Sequence, residues 1–207
     1  MTANTSATGN IFIISAASGT GKTTLVSRLL ANNPELRVSV SHTTRQPREG
    51  EENGKHYHFV SREQFEQMVG ENAFLEHADV FGNYYGTSFA GIESLQAQGF
   101  DVILEIDVQG AEQVRKVLPS AVSIFILPPS FEILAARLRG RGTDSAEVIE
   151  TRLNKARTEI SEALHFDYAV VNDDLAQAEQ DLLHIIKSGR LKKEQQHSFI
   201  EKLLENP

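Results

Sequence analysis

The chain has 207 residues, with 28 acidic against 20 basic side chains and a formal net charge of -8. That length accommodates one large domain, or a core with inserts, around a sizeable apolar interior, so disorder is not the default, and the acidic balance argues against a broad nucleic-acid surface. Cysteine is absent, which rules out disulfides, thiolate metal sites and cysteine nucleophiles and fits a reducing, cytoplasmic location.

In chain order, Met1 to Asn10 carries no charged side chain and no apolar run, and reads as a disordered N-terminus without a signal sequence. A first apolar strand, Ile11–Ser15, precedes a helix at Lys22–Ala31 and a second strand at Arg37–Ser41. Residues 42–100 change character: aromatics concentrate there, and short strands at Tyr57–Val60 and Phe74–Phe81 flank a helix at Arg62–Val69 with Ser61 and Gln64 as a capping box. The pattern then returns to strand and helix: Val102–Asp107, Gly110–Leu118, Val122–Leu127, Phe131–Arg139, a long helix over 146–164 behind Ser145, Tyr168–Asn172 and Leu175–Lys187. Near-continuous apolar strands alternating with helices predict a five-stranded parallel sheet covered on both faces, an α/β core at 11–41 and 101–188 with the 42–100 lobe inserted. The tail, 189–207, is polar and then places Phe199-Ile200 and Leu203-Leu204 at helical spacing, a candidate to dock on the body or on a second subunit of a homo-oligomer. No apolar run approaches the roughly 20 residues that span a bilayer.

Ile11-Phe12-Ile13-Ile14 runs into Ala16-Ala17-Ser18-Gly19-Thr20-Gly21-Lys22-Thr23-Thr24 and then into an amphipathic helix. A buried strand, a glycine turn, a lysine and a hydroxyl at a helix start are the context of a phosphate-binding P-loop. Glycines let successive backbone N–H groups turn inward, and the helix N-terminus adds donors and a favourable dipole. Ala17 to Thr24 are the candidate ATP contacts, with Lys22 on the β- and γ-phosphates and Thr23 on Mg²⁺. Ala16 stands where the motif usually has glycine, which requires either ordinary backbone geometry there or an altered loop.

After the second strand, Arg45 and Arg48 flank Pro47, so that two guanidinium forks can converge on one phosphate. With His56-Tyr57-His58-Phe59, Gly82-Asn83-Tyr84-Tyr85-Gly86-Thr87 and Leu104-Glu105-Ile106-Asp107-Val108-Gln109-Gly110, the segment from Ile11 to Ile186 resembles the guanylate kinases. The resemblance implies a GMP-binding lobe in which Ser41, Arg45, Arg48, Tyr57 and Tyr85 hold the acceptor phosphate while Glu76, Thr87 and Asp107 contact guanine. It also implies a mobile lid at about 137–152, with Arg137 and Arg141 closing over ATP, Arg152 meeting the phosphates and Asn172 near adenine; an Asn-Asp-Asp helix cap explains Asn172 equally well. Lys22, Arg45, Arg137, Arg141 and Arg152 are the implied catalytic set, and ATP, GMP and Mg²⁺ the small-molecule partners. Glu105, on the same side as Asp107, is a candidate to order Mg²⁺ through water. Family members often have aspartate there.

Rival readings are a phosphopeptide-binding module of related fold, a kinase for another nucleotide or a sugar phosphate, and a P-loop GTPase. The intact Gly19, Gly21, Lys22 and Thr23 disfavour the first. The Glu76, Thr87 and Asp107 set disfavours the second, and the lack of an Asn-Lys-x-Asp motif disfavours the third. His42, His56, His58 and His77 show no metal-ligand spacing and read as surface or packing residues.

Overall fold

The structure, a computed structural model, describes residues 9–80, 82–140 and 146–205. Strand β1 (Ile11–Ala16) leads into helix α1 (Lys22–Asn32) and β2 (Leu36–Val38). The lobe follows with β3 (His42–Thr43), β4 (His58–Phe59), α2 (Arg62–Gly70), β5 (Phe74–Val80), β6 (Asn83–Ser88) and α3 (Phe89–Ala97). The chain returns through β7 (Asp101–Glu105), α4 (Val108–Val117), β8 (Val122–Leu127), α5 (Phe131–Arg139), α6 (Ala146–Ser161) and a 3-10 turn at Glu162–His165. It finishes with β9 (Tyr168–Val171), α7 (Leu175–Gly189) and α8 (Lys193–Glu205).

The core sheet has the order β2-β7-β1-β8-β9, with every pairing parallel. Its centre is β1, whose Phe12, Ile13 and Ile14 are fully buried. Successive side chains of a strand point to opposite faces. Phe12 and Ile14 accordingly pack with Leu25 and Leu29 of α1 and Leu182 and Ile186 of α7, while Ile13 packs with Val102, Leu104, Ala111 and Val114. Each such fully buried aliphatic side chain contributes about 1.5–3 kcal/mol of transfer free energy. A third cluster sets Leu134 and Leu138 of α5 and Ile149 and Ala156 of α6 against Ala17, at the start of the glycine loop. Among the described residues no helix is long and apolar enough to cross a membrane.

The lobe is a second, mixed sheet of order β4-β3-β6-β5, antiparallel at β3·β6 and β5·β6 and parallel at β3·β4. Its α2 begins with the expected capping box: the Ser61 hydroxyl accepts from Gln64 N–H and the Gln64 side chain accepts from Ser61 N–H. Three lobe elements, β3, β6 and α3, go beyond the sequence reading. Phe81, the predicted end of one strand, and Ser145, the predicted cap of the long helix, lie outside the described residues. In the core, β2 is three residues long, because after Ser39 N–H bonds the Ile103 carbonyl the chain turns away toward the lobe. Strand β7 stops at Glu105, and Asp107 instead caps α4, its carboxylate accepting from Gly110 N–H. The long helix ends at Ser161 and tightens into the 3-10 turn.

The expected disordered N-terminus falls mostly outside the described residues, but Gly9 and Asn10 belong to the fold. Asn10 donates from its backbone and its side chain to Asp101 Oδ1 at 2.8 and 3.2 Å. On the other carboxylate oxygen, Arg190 Nε donates at 2.6 Å, so Asp101, only 1% exposed, fastens both ends of the core domain to β7. Helix α8 joins this knot through Gln195 Nε2, which donates to Asn10 Oδ1, whereas Phe199, Ile200, Leu203 and Leu204 are exposed. Asp101→Ala leaves a backbone N–H and a guanidinium without their acceptor and is expected to cost about 2 kcal/mol in urea unfolding. A midpoint equal to that of the parent protein would show that the knot contributes nothing.

Candidate active site at the carboxyl ends of the core strands

The loop after β1 takes conformations that glycine alone adopts without strain: Gly19 has φ 92° and Gly21 has φ 93°. Space is equally restrictive, since a Cβ on Gly21 would lie 2.6 Å from Asn172 Nδ2 and one on Gly19 2.8 Å from a Leu138 methyl. Ala16 resolves its own question. It pairs with Ile126 as the last residue of β1, and among the described residues the one non-glycine with positive φ is Asn72, so the loop needs no glycine at 16.

The back of the loop is held by two side chains. Asn172 Nδ2 donates to the Thr20 carbonyl at 2.7 Å, and Arg137 donates to that carbonyl at 3.2 Å and to the Asn172 carbonyl at 3.0 Å. Asn172 is only 4% exposed, and its amide is committed to the loop backbone; the cap of α7 is Asp174, which accepts from Gln177 N–H. On the front, Lys22 Nζ donates to the Ile106 carbonyl at 3.2 Å and lies 4.0 Å from Glu105, and Thr23 Oγ1 donates to Glu105 Oε1 at 2.9 Å. Burial pushes the Lys22 ammonium below its ordinary pKa, with Glu105, Asp107 and Glu159 acting in the opposite direction. Ser18 and Thr24 are exposed at the rim and Ala17 is buried beneath it.

Facing this loop across the end of β7 is the lobe. Glu76, 5% exposed, accepts from Thr87 Oγ1 at 2.6 Å, and the Thr87 hydroxyl lies 3.5 Å from that of Ser41. Its carboxyl is raised to about 7, chiefly by desolvation and further by Asp107, against the lowering effect of the Thr87 hydrogen bond. Gly110 makes room for it, since a Cβ there would lie 2.6 Å from Glu76 Oε2. Further along the lobe, Arg45 makes a two-pronged ion pair with Glu51 and sits over the ring of Tyr57, which packs edge-on against Tyr85 at 5.9 Å. Burial raises the Tyr57 phenol.

The fold thus gathers the buried Glu76 and Thr87 with the half-buried Ser41 and Asp107 into one polar group, and the half-buried Arg45, Tyr57 and Tyr85 into another. Arg48 is exposed and joins the second through its backbone N–H, which donates to Glu51. Arg152 is half-buried on α6, and Arg141 lies outside the described residues. Two residues here escaped the sequence reading. Gly110 carries no signal without knowledge of its neighbour Glu76, whereas Glu51, three residues past Arg48, was legible as an acid placed to pair with the arginines. The oxygen donors Thr23 and Glu105, adjacent at the loop, suit Mg²⁺, which takes hard oxygen ligands and uses few from the protein.

A family model described as guanylate kinase matches residues 8–189. The guanylate kinase of Neisseria gonorrhoeae is 71% identical over 198 residues, spanning 96% of this chain and 97% of its own. That of Mannheimia succiniciproducens is 56% identical over 203 residues, spanning 95% of this chain and 98% of its own. Among solved structures, guanylate kinase from Anaplasma phagocytophilum superposes with a TM-score of 0.77 at 33% identity, covering 97% of this chain and 95% of that one.

The raised carboxyl of Glu76 means that the folded protein holds a proton there which the unfolded chain, with an ordinary carboxyl near 4.5, has already released. Stability is therefore lost as pH rises between about 4.5 and 7 and stays reduced above it. Glu76→Gln, always neutral, is expected to unfold at higher urea than the parent by roughly 3 kcal/mol at pH 8 and by about 1 kcal/mol or less at pH 5. An equal difference at both pH values would refute the burial cost.

Proposed function

The chain belongs to the guanylate kinase family, and on that premise we propose that it transfers the γ-phosphate of ATP to GMP, giving ADP and GDP. The observation that carries the acceptor is Glu76, a buried carboxylate joined to Thr87 and lying across the end of β7 from the glycine loop. Guanine offers N1–H and a 2-amino group that one carboxylate can accept together. Adenine has no such pair, so the wrong base leaves a buried carboxylate without partners, a penalty of a kind that supports discrimination of about 10⁴. Asp107 and Thr87 complete the base contacts in this reading.

On the donor side, the N–H groups from Ala17 to Thr24 cradle the phosphates, and Lys22 moves from the Ile106 carbonyl onto the β- and γ-phosphates. Such a cradle must be fixed before the substrate arrives, and Asn172 and Arg137 supply that by holding the Thr20 carbonyl. Asn172 in this account acts on ATP through the loop. Mg²⁺, held by Thr23 with Glu105 in support, would neutralise phosphate charge when bound.

The acceptor is a phosphate monoester with a second pKa near 6, largely a dianion at neutral pH, so the transfer needs no strong general base. The chain's task is to position and to neutralise charge. Arg45 and Arg48, with the hydroxyls of Ser41, Tyr57 and Tyr85, hold the dianion in line, while Lys22 and the arginines at 141 and 152 spread over the migrating group; Arg137, committed to the Thr20 and Asn172 carbonyls, acts through the loop. Closure of the 137–152 segment would exclude water that otherwise takes the phosphoryl group. The requirement for ATP and the absence of cysteine fit a cytoplasmic enzyme.

ADP formation from ATP and Mg²⁺, with GMP, AMP, UMP and CMP offered separately, tests the assignment. Activity is expected with GMP and to fall by about a thousandfold or more with the others. Lys22→Ala should retain the fold by circular dichroism and lose at least about a hundredfold in kcat. Turnover with no acceptor, or near-parental rates in the lysine variant, would overturn the reading.

A further inference from the structure

We propose that Glu51 is the positioning residue of the acceptor-phosphate site: it holds the Arg45 guanidinium in a fixed plane, pins the backbone at Arg48, and thereby sets the affinity for the acceptor's phosphate monoester. The inference rests on the reading of this lobe as the GMP site. Arg45 NH1 donates to Glu51 Oε2 at 3.0 Å and NH2 donates to Oε1 at 2.9 Å. Oε2 also accepts from the Arg48 backbone N–H at 2.7 Å. One carboxylate therefore orients one arginine by its side chain and the other by its main chain. The partners are 15% and 19% exposed, so this is a packed fork and not a surface ion pair of two long, freely moving side chains.

Donor bookkeeping separates positioning from competition. A guanidinium has five N–H groups. Glu51 takes one from each terminal nitrogen, and the Gln46 carbonyl takes the second of NH1 at 2.8 Å. Nε–H and the second N–H of NH2 remain, and they lie together on the adjoining edge, a second fork of the right geometry for two phosphate oxygens. The rings of Tyr57 and Phe59 lie 5.4 and 5.8 Å from the guanidinium, which limits its tilt. Arg45 in turn draws the Glu51 carboxyl down to about 2, so the anchor stays ionised throughout the neutral range. Glu51 also repels a phosphate on the far edge. The Arg45 guanidinium lies between the two anions and offsets the Glu51 charge, whereas misplacing a binding group by about 1 Å costs up to about a hundredfold, so orientation dominates.

Glu51→Gln keeps the shape and removes the second acceptor oxygen and the charge. The variant is expected to raise KM for GMP roughly ten- to a hundredfold while changing kcat by less than about threefold. The KM for ATP and the circular-dichroism melting temperature should stay at the parental values. Because Glu51 works through both arginines, adding the same substitution to the Arg45→Ala, Arg48→Ala double variant should change KM for GMP by no more than about twofold. An unchanged or lowered KM for GMP in the single variant would overturn the proposal, the lowered value by identifying Glu51 as a competitor of the phosphate. Equal losses with and without the two arginines, or a matching rise in KM for ATP with a lowered melting temperature, would also overturn it. A parent protein without GMP-dependent turnover would refute the acceptor site itself, a result distinct from failure of the Glu51 variant in an active enzyme.

Discussion

Two donors from different elements meet on one acceptor at the Ile106 carbonyl. Ser15 Oγ, from β1, donates to it at 2.6 Å and Lys22 Nζ, from α1, at 3.2 Å, filling both lone pairs of an oxygen just beyond β7. The flanking residues diverge from there: Glu105 reaches Thr23 in the glycine loop, and Asp107 caps α4 and sits in the field of Glu76 in the lobe. Because β7 is laddered on both sides by parallel strands, this junction cannot shift without breaking sheet hydrogen bonds. The spacing between the glycine loop and the Glu76 carboxylate is therefore a property of the sheet.

The chain spends stability to build the site. The loop is confined to glycine-only conformations, and its shape is over-determined by Asn172 and Arg137 behind it and by Leu134 and Leu138 beside it. Burial of Glu76 and Lys22 each disfavours the charged form of the group. Functional sites characteristically store such local cost against stability supplied elsewhere. Here the supply is the doubly covered sheet, whose central strand exposes none of Phe12, Ile13 or Ile14.

The parts of this arrangement that follow local rules were legible in the sequence. Apolar runs at Ile11 and Val122 gave strands because a buried parallel strand must be apolar on both faces, and Ser61 with Gln64 gave a helix start because the capping box is a contact three residues long. The missed strand β6, Asn83 to Ser88, has no period-2 apolar pattern, and it is a strand because β3 and β5 pair with its two edges. Gly110 is a glycine because of Glu76, thirty-four positions away, and Asn172 is buried because of Thr20, on the far side of the sheet sequence. Ala16 looked atypical only while its backbone was unknown; as the last rung of β1 it has ordinary geometry. What stayed hidden were contacts between distant segments, for which a single sequence carries no periodicity.

A common logic runs through three polar groups of the proposed site: each already has a partner within the chain, and that partner is weaker than the phosphate or guanine edge the proposed function would bring. Lys22 rests on a neutral carbonyl, Thr23 on a carboxylate and Glu76 on one hydroxyl. None is left as a bare buried charge, whose cost would threaten the fold. Exchanging such a partner for a multiply charged phosphate or a two-donor base edge gains the difference between the two interactions, which moderates affinity and sharpens selectivity, because a ligand lacking the second charge or donor gains almost nothing from the exchange. Arg45 is the exception that fits the rule: its partner Glu51 is a full carboxylate and too strong to displace, so the arrangement works only because the fork leaves the other edge of the guanidinium open.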